Sequence, residues 1–309
     1  MNTKKVSIIM NCRNGEEYLE QSIKSVIDQT YKNWELIFVD NNSNDNSRSI
    51  FYKFNDERLK YFFLKKSVRL GEARQTALQN CSGEYIAFLD TDDLWFKKKL
   101  EKQLKFFDKK RVGMVISNTI FFSKNKEKIF YKKKPPTGFV FYDLLKKYFI
   151  SLETLICKND FIKEISFKFN KQNSMISDFE LVISLSQICK LEYCPEILSK
   201  WRVHSSSDTW KKKELFYSEK FFFIQKLDLK NKELKEEKFL KCKKNFFEDL
   251  NFSIVLNKLE YGEKRMNLIR DLISKKIRLT KFITLLAIIL LPFNLVILRI
   301  YRKLFDINP

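Results

Sequence analysis

A chain of 309 residues is long enough to bury one full hydrophobic core and to carry an appendage. Its 59 Lys and Arg outnumber 38 Asp and Glu, a net charge of +21 that attracts polyanions, yet no nucleic-acid-binding motif accompanies the basic runs Lys97-Lys98-Lys99, Lys132-Lys133-Lys134 and Lys211-Lys212-Lys213, so nucleic acid is not an expected partner. The 6 cysteines are scattered without Cys-x-x-Cys spacing, which excludes a zinc ribbon or a disulfide framework and suits a reducing cytoplasm.

Residues 6–10 form a short β-rich run that ends in the polar turn Asn11-Cys12-Arg13-Asn14-Gly15. Between 16 and 29, Leu19, Ile23, Val26 and Ile27 recur at helical spacing, with Glu16 and Glu17 at the end where negative charge favours a helix. A second apolar strand, 36–39, ends in Asp40 and the turn-rich Asn41-Asn42-Ser43-Asn44-Asp45. A third, 61–64, precedes a helix over about 71–80. Tyr85, Ile86, Ala87, Phe88 and Leu89 then make a buried-type strand that ends abruptly in Asp90-Thr91-Asp92-Asp93. This alternation predicts an α/β fold, a mostly parallel sheet flanked by helices on both faces. Ligands of such sheets sit beyond the carboxyl ends of the strands, which is where Asn11, Asp40 and Asp90 fall. Carboxylates as crowded as Asp90, Asp92 and Asp93 repel one another, and a hard divalent cation offers compensation and a bridge to phosphates. A solvated acidic turn ahead of a helix near Leu94 is the alternative reading of the same residues.

Further on, Asp178 opens a helical pattern in which Phe179, Val182, Ile183 and Ser186 face inward. Residues 215–277 read as helical and charged, with Phe239, Phe246, Leu250 and Ile254 at helical intervals. Residues 282–298 are almost wholly apolar, flanked by Lys275, Lys276, Arg278 and Lys281 before and Arg299, Arg302 and Lys303 after. At about 1.5 Å per residue that stretch spans roughly 25 Å, short of a ~30 Å hydrocarbon core. Pro292 and Asn294 weaken a simple spanning helix further. Cations on both flanks suit a helix or re-entrant hairpin lying on an anionic membrane surface. A core helix packed against the rest of the protein is the other use of such a segment.

Several blocks in order carry a resemblance. Val6-Ser7-Ile8-Ile9-Met10-Asn11, Gln29-Thr30-Tyr31, Trp34-Glu35-Leu36-Ile37-Phe38-Val39-Asp40, Gly71-Glu72-Ala73-Arg74, Gly83 through Asp93, and Trp201-Arg202-Val203-His204 together resemble the family 2 glycosyltransferases over roughly the first two thirds of the chain. The resemblance implies the GT-A (Rossmann-like) fold and transfer of a sugar from a nucleotide-sugar, usually a UDP-sugar, with Mn²⁺ or Mg²⁺ as cofactor. Asp40 would accept from the nucleotide base, with Asn11 and Arg74 also at the nucleotide-sugar. Asp90 and Asp92 match the Asp-x-Asp motif, Asp90 toward the ribose or a metal-bound water and Asp92 on the metal; Asp93 and His204, the single histidine, are the further metal candidates. Asp178 falls where the family has a catalytic base for inverting displacement, but the usual Glu-Asp is here Ser177-Asp178.

The expected organisation is a glycosyltransferase domain over 1–210 (1–115 for the nucleotide-sugar, 116–210 for the acceptor), a helical charged extension over 211–278 and a hydrophobic membrane-associating segment over 279–304. A glycan or lipid-linked acceptor and the cytoplasmic face of the cell membrane follow as expectations, with surface polysaccharide as the product. A sugar nucleotidyltransferase, which would release pyrophosphate, and a non-catalytic basic membrane-surface protein share parts of the pattern.

Overall fold

The computed structural model describes residues 4–204, 212–229, 234–260, 265–275, 277 and 279–290. Val6–Cys12 (β1) leads to the helix Leu19–Ile27 (α1), Trp34–Asp40 (β2) to Ser47–Tyr52 (α2), and Leu59–Phe63 (β3) to Leu70–Gln79 (α3). Tyr85–Phe88 (β4) is followed by the short strand Leu94–Trp95 (β5) and the helix Lys99–Leu104 (α4). Val112–Phe122 (β6), Glu127–Ile129 (β7), Phe141–Lys146 (α5), Ile156–Lys158 (β8), Asn159–Glu164 (α6), Ser177–Ser186 (α7) and Lys190–Arg202 (β9) come next. The chain forms two compact units, the first holding every described strand and the second the helices from Lys213 onward.

The strands make one 9-stranded sheet in the order β3-β2-β1-β4-β8-β6-β9-β5, with β7 added on β6. From β3 to β4 all pairings are parallel, as the alternating pattern predicts. Beyond β4 the expectation of a mostly parallel sheet is corrected: β8 runs antiparallel to both β4 and β6, and β5 and β7 are antiparallel to their partners, so the sheet is mixed. Parallel neighbours need a long crossover, whereas the short turn between β6 and β7 permits only a reversal.

The core explains the sequence runs. Strands β1 and β2 are covered on both faces, so Ile8, Met10, Leu36 and Phe38 on one side and Ile9, Ile37 and Val39 on the other are all buried. Helix α1 buries Leu19, Ile23 and Val26, the stripe its spacing predicts. At the amino end of β2, the buried Glu35 accepts from Lys5 Nζ (2.8 Å), Lys60 Nζ (2.6 Å), Ser7 Oγ (2.6 Å) and the Ser82 amide (2.8 Å).

In the second unit, Lys213–Lys226 (α8), Glu236–Glu260 (α9), Arg265–Ser274 (α10) and Leu279–Leu290 (α11) form helices. Phe252, Val255, Leu256 and Leu259 of α9 pack with Leu268 and Leu272 of α10 and Leu285 and Ile289 of α11. The first part of the hydrophobic segment therefore contributes to a helical core, while 291–304, including Pro292 and Asn294, lie outside the described residues. Among the described residues no helix is long and apolar enough to cross a membrane.

Candidate active site

The strand β4 delivers Asp90 to the carboxyl edge of the sheet, and the Asp93 amide donates back to the Asp90 carbonyl (3.2 Å), closing a tight turn. The turn splits the three carboxylates. Asp93 is 1% exposed and accepts from the Arg202 amide of β9 (2.8 Å), while Asp92 points to the opening and its Oδ2 lies 2.8 Å from His204 Nε2. Arg202 straps the turn from the other side. Its Nε donates to the Asp92 carbonyl (2.8 Å), its Nη2 to Gln21 Oε1 (2.9 Å), and its guanidinium lies over Tyr18 (4.2 Å) and Phe122 (4.5 Å). Tyr18 in turn packs on the His204 ring, centroids 5.4 Å apart. Asp92 and His204 thus meet, and Asp93 is turned away from them. Among the described residues no group of three or more His, Cys, Asp or Glu stands ready to hold a metal ion.

A second junction brings distant sequence together. A Cβ on Gly71 would meet the Asn170 carbonyl at 2.1 Å, so only glycine lets the loop before α7 press against α3; the Gly71 amide donates to the Asn173 carbonyl (2.8 Å). That approach lets the buried Arg74 span two elements, Nη1 to Ser177 Oγ (2.6 Å) and Nη2 to Asp90 Oδ1 (3.3 Å). Beside Ser177, in the first turn of α7, Asp178 accepts from the Tyr148 hydroxyl (3.0 Å). Asp90 keeps 43% of its side chain accessible but is ringed by protein. This enclosure raises its pKa, the Arg74 charge opposes, and the charges of Asp92 and Asp178 add to the rise. The four groups therefore feel one another's charge.

The ends of β1 and β2 are more enclosed. Asn11 and Asp40 end adjacent parallel strands, with Cys12 opposite Asp40. Asp40 is fully buried, Oδ1 accepting from the Ser43 amide (2.8 Å) and Oδ2 from the Tyr61 hydroxyl (2.6 Å). Burial first, and this carboxylate second, push the Tyr61 pKa up. The Asn11 amide nitrogen is buried with no hydrogen-bond partner among the described residues. Nearby on the chain, a cleft of about 810 Å³ is lined by Arg13, Lys66, Arg69 and Lys171, with Glu72 the acidic member. Sequence reasoning missed Tyr61, Tyr148 and this cationic cleft, because tyrosines within apolar runs and cations among many basic residues carry no local signal of their own; Arg202 stands in the Trp201–His204 block without a role assigned to it.

Beneath the acidic turn lie further buried charges. Glu153, in a single helical turn at Leu152–Thr154, is 1% exposed and accepts from the Ser151 hydroxyl (2.6 Å). Burial pushes both Glu153 and Asp93 up, and for Asp93 the charges of Asp92 and Glu153 add to it. Lys99, fully buried, donates to Gln103 Oε1 (2.6 Å) and sits over the Trp95 ring (4.4 Å).

With this geometry established, similarity to known proteins is informative. A model described as Glycosyl transferase family 2 matches residues 7–170. The UDP-Glc:alpha-D-GlcNAc-diphosphoundecaprenol beta-1,3-glucosyltransferase WfgD of Escherichia coli is 34% identical over 204 residues, 65% of this chain and 78% of its own length. The putative teichuronic acid biosynthesis glycosyltransferase TuaG of Bacillus subtilis is 43% identical over 103 residues, 33% of this chain and 41% of its own length. Among solved structures, S. aureus TarS 1-349 in complex with UDP-GlcNAc superposes with a TM-score of 0.66 at 18% identity, covering 91% of this chain and 81% of that one. The mannosyltransferase PcManGT from Pyrobaculum calidifontis in complex with GDP-Man and Mn²⁺ gives 0.61 at 15% identity, over 100% and 89%. At such identities the two structures speak for the fold alone, which is GT-A-like. The family match over more than half of the chain, and a relative of which the chain covers most of the length, make this protein a glycosyltransferase of family 2.

Proposed function

We propose that the protein moves a sugar from a UDP-sugar to a lipid-linked glycan in cell-surface polysaccharide synthesis, by a metal-dependent inverting displacement at the cytoplasmic face of the membrane. The observation that carries the reading is the junction at Arg74, which touches Asp90 and the residue next to Asp178 and so brings the Asp-x-Asp turn and the acceptor-side helix together. Asp178 is the base: Tyr148 fixes one carboxylate oxygen, and the carboxylate takes the proton of the attacking hydroxyl. Arg74 steadies Asp90 and faces the diphosphate with its positive charge. Ser177, in place of the family's glutamate, accepts from Arg74 without neutralising it.

Asp92 and His204 fit a divalent cation. A carboxylate oxygen and an imidazole nitrogen 2.8 Å apart, both partly accessible, offer two ligands of the kind Mn²⁺ accepts, and such ions complete their shell with phosphates and water. A bound ion would supply Lewis-acid neutralisation of the departing diphosphate. Asp93, held on the Arg202 amide, supports the turn instead.

A UDP-sugar donor is supported by WfgD, whose name gives UDP-Glc. The Arg13, Lys66, Arg69 and Lys171 cleft suits an anionic donor, while Asp40, fully buried, holds the turn after β2 through the Ser43 amide and the Tyr61 hydroxyl. WfgD is named for a diphosphoundecaprenol-linked acceptor, and a lipid-linked acceptor here agrees with the net charge of +21 and the basic flanks of the hydrophobic segment. Calorimetric titration with UDP, GDP and CMP, with and without Mn²⁺, tests the donor site. Mn²⁺-dependent preference for UDP is expected; preference for GDP would change the donor, and binding of no nucleotide would overturn the reading.

A further inference from the structure

The edge of the sheet formed by β7, β6, β9 and β5 presents a face that the reaction outlined above does not use. The strand registers set Ile129, Ile120, Lys200 and Leu94 opposite one another in one cross-strand row. Directly opposed residues of paired strands share a face, and Phe122, two residues beyond Ile120, lies on the same side. Lys200 sits over the Phe122 ring (5.4 Å) and lies 5.9 Å from the Phe96 ring centroid. Ile129 is 46% exposed and Phe96 40%, while Leu94, Ile120 and Phe122 are half-buried. The row is therefore an open strand face, apolar except where Lys200 crosses it.

The rim of this face is cationic. Lys97 and Lys98 follow Phe96, and Lys124, Lys126 and Lys128 run through the hairpin that leads to Ile129, all exposed. Glu127, the acidic residue of the hairpin, is held by Lys200 at 2.7 Å. The face also adjoins the candidate site, because Arg202 lies over Phe122 (4.5 Å) and donates to the Asp92 carbonyl. Exposed apolar side chains within a fringe of lysines complement the boundary between anionic headgroups and acyl chains. A second copy of the chain seated here would bring the same lysines against one another, which like charges oppose.

We infer that this face rests on an anionic phospholipid surface, with Phe96 and Ile129 entering below the headgroups and Lys97, Lys98, Lys124 and Lys126 meeting lipid phosphates. The assignment rests on the glycosyltransferase reading with its lipid-linked acceptor and deepens it. The unit that carries the Asp-x-Asp turn holds a membrane contact of its own, apart from the hydrophobic segment near the end of the chain.

Hydrogen exchange of the full chain, with and without vesicles of phosphatidylcholine and phosphatidylglycerol, tests the contact. Slower exchange is expected over residues 94–98 and 122–130, and much less of it with phosphatidylcholine alone. In co-sedimentation with the mixed vesicles, partitioning should fall about tenfold when Phe96→Ser and Ile129→Ser are combined. It should fall about fivefold for each of Lys124→Gln and Lys126→Gln. Protection confined to residues beyond 212, or unchanged partitioning in the Phe96→Ser and Ile129→Ser protein, overturns the surface while leaving a membrane-bound enzyme. A dimer in sedimentation equilibrium that Ile129→Ser dissolves would assign the face to a second copy and overturn it as well. UDP titration of the variants should match the wild type; failure of the wild type to bind UDP overturns the glycosyltransferase reading instead, in a separate measurement.

Discussion

Two glutamates, each 1% exposed, live in opposite surroundings, one in a strand of the sheet and one in the helical turn beneath its far end. Glu35, at the amino end of β2, is met by two ammonium groups, two hydroxyls and an amide. Burial alone would raise its pKa, but these hydrogen bonds outweigh burial and hold it well below the usual carboxylate range. Glu153, beneath the carboxyl ends, takes a hydroxyl from Ser151 and forms no ion pair among the described residues, and burial pushes it up together with Asp93. The sheet thus satisfies its buried charge at the end far from the Asp-x-Asp turn and leaves charge poorly compensated under it. Such local conflict is what binding and catalysis require of a scaffold that is otherwise consistent.

The largest expected effect lies at the carboxyl end. Asp178→Ala should lower transfer about 10³-fold, the range of a lost general base, while UDP affinity measured by calorimetry stays within about twofold. Normal turnover in that variant would remove Asp178 from the chemistry. At the amino end the same kind of deletion should act on stability alone. Glu35→Gln weakens the hydrogen bonds from Lys5, Lys60, Ser7 and Ser82 but leaves both lysines in reach of water, and should cost about 1.5 kcal/mol in urea denaturation at pH 7, with UDP binding unchanged. The sign follows from the depressed pKa: the contribution is complete above the unfolded value near ~4.3 and is lost as pH falls through the folded one. The gap between wild type and Glu35→Gln should therefore start to narrow below about pH 4 and close progressively in stronger acid. A constant gap down to pH 2 would show that the cluster works by packing rather than by charge.

The same contrast governs what the sequence revealed. Strands β1, β2 and β4 are buried on both faces and leave unbroken apolar runs, so their ends, and Asn11, Asp40 and Asp90 with them, are legible. The mixed half of the sheet is not, because β7 and β8 are only 3 residues long and show no period. Nothing local separates Asp92 from Asp93, yet one turn sends the first to His204 and the second into the interior. The junction of Arg74 with Ser177 joins residues 103 apart in the chain, through an approach that depends on Gly71 having no side chain. Its members are legible singly; their meeting is a property of the fold.

Lys99 sharpens the comparison by the smallest step. The run Lys97-Lys98-Lys99 reads as a solvated face, and Lys97 and Lys98 are indeed exposed, but Lys99 starts α4 with its side chain fully buried. Burial lowers its pKa to about 7, against the pull of Glu153. An unfolded chain holds that proton up to about 10.4, so between the two values the unfolded state binds more protons and stability rises with pH. The slope from one such group approaches about 1.4 kcal/mol per pH unit. Lys99→Met keeps the length of the side chain over Trp95 and removes the titration, so its denaturation midpoint should change less between pH 7 and 9 than that of the wild type. Buried tyrosines and cysteines, whose raised values act in the opposite sense, are common to both proteins and cancel in the difference. Equal slopes would mean that Lys99 keeps its proton in the fold. The charge under the Asp-x-Asp turn would then be as well matched as that around Glu35, and the distinction between the two ends of the sheet would fail.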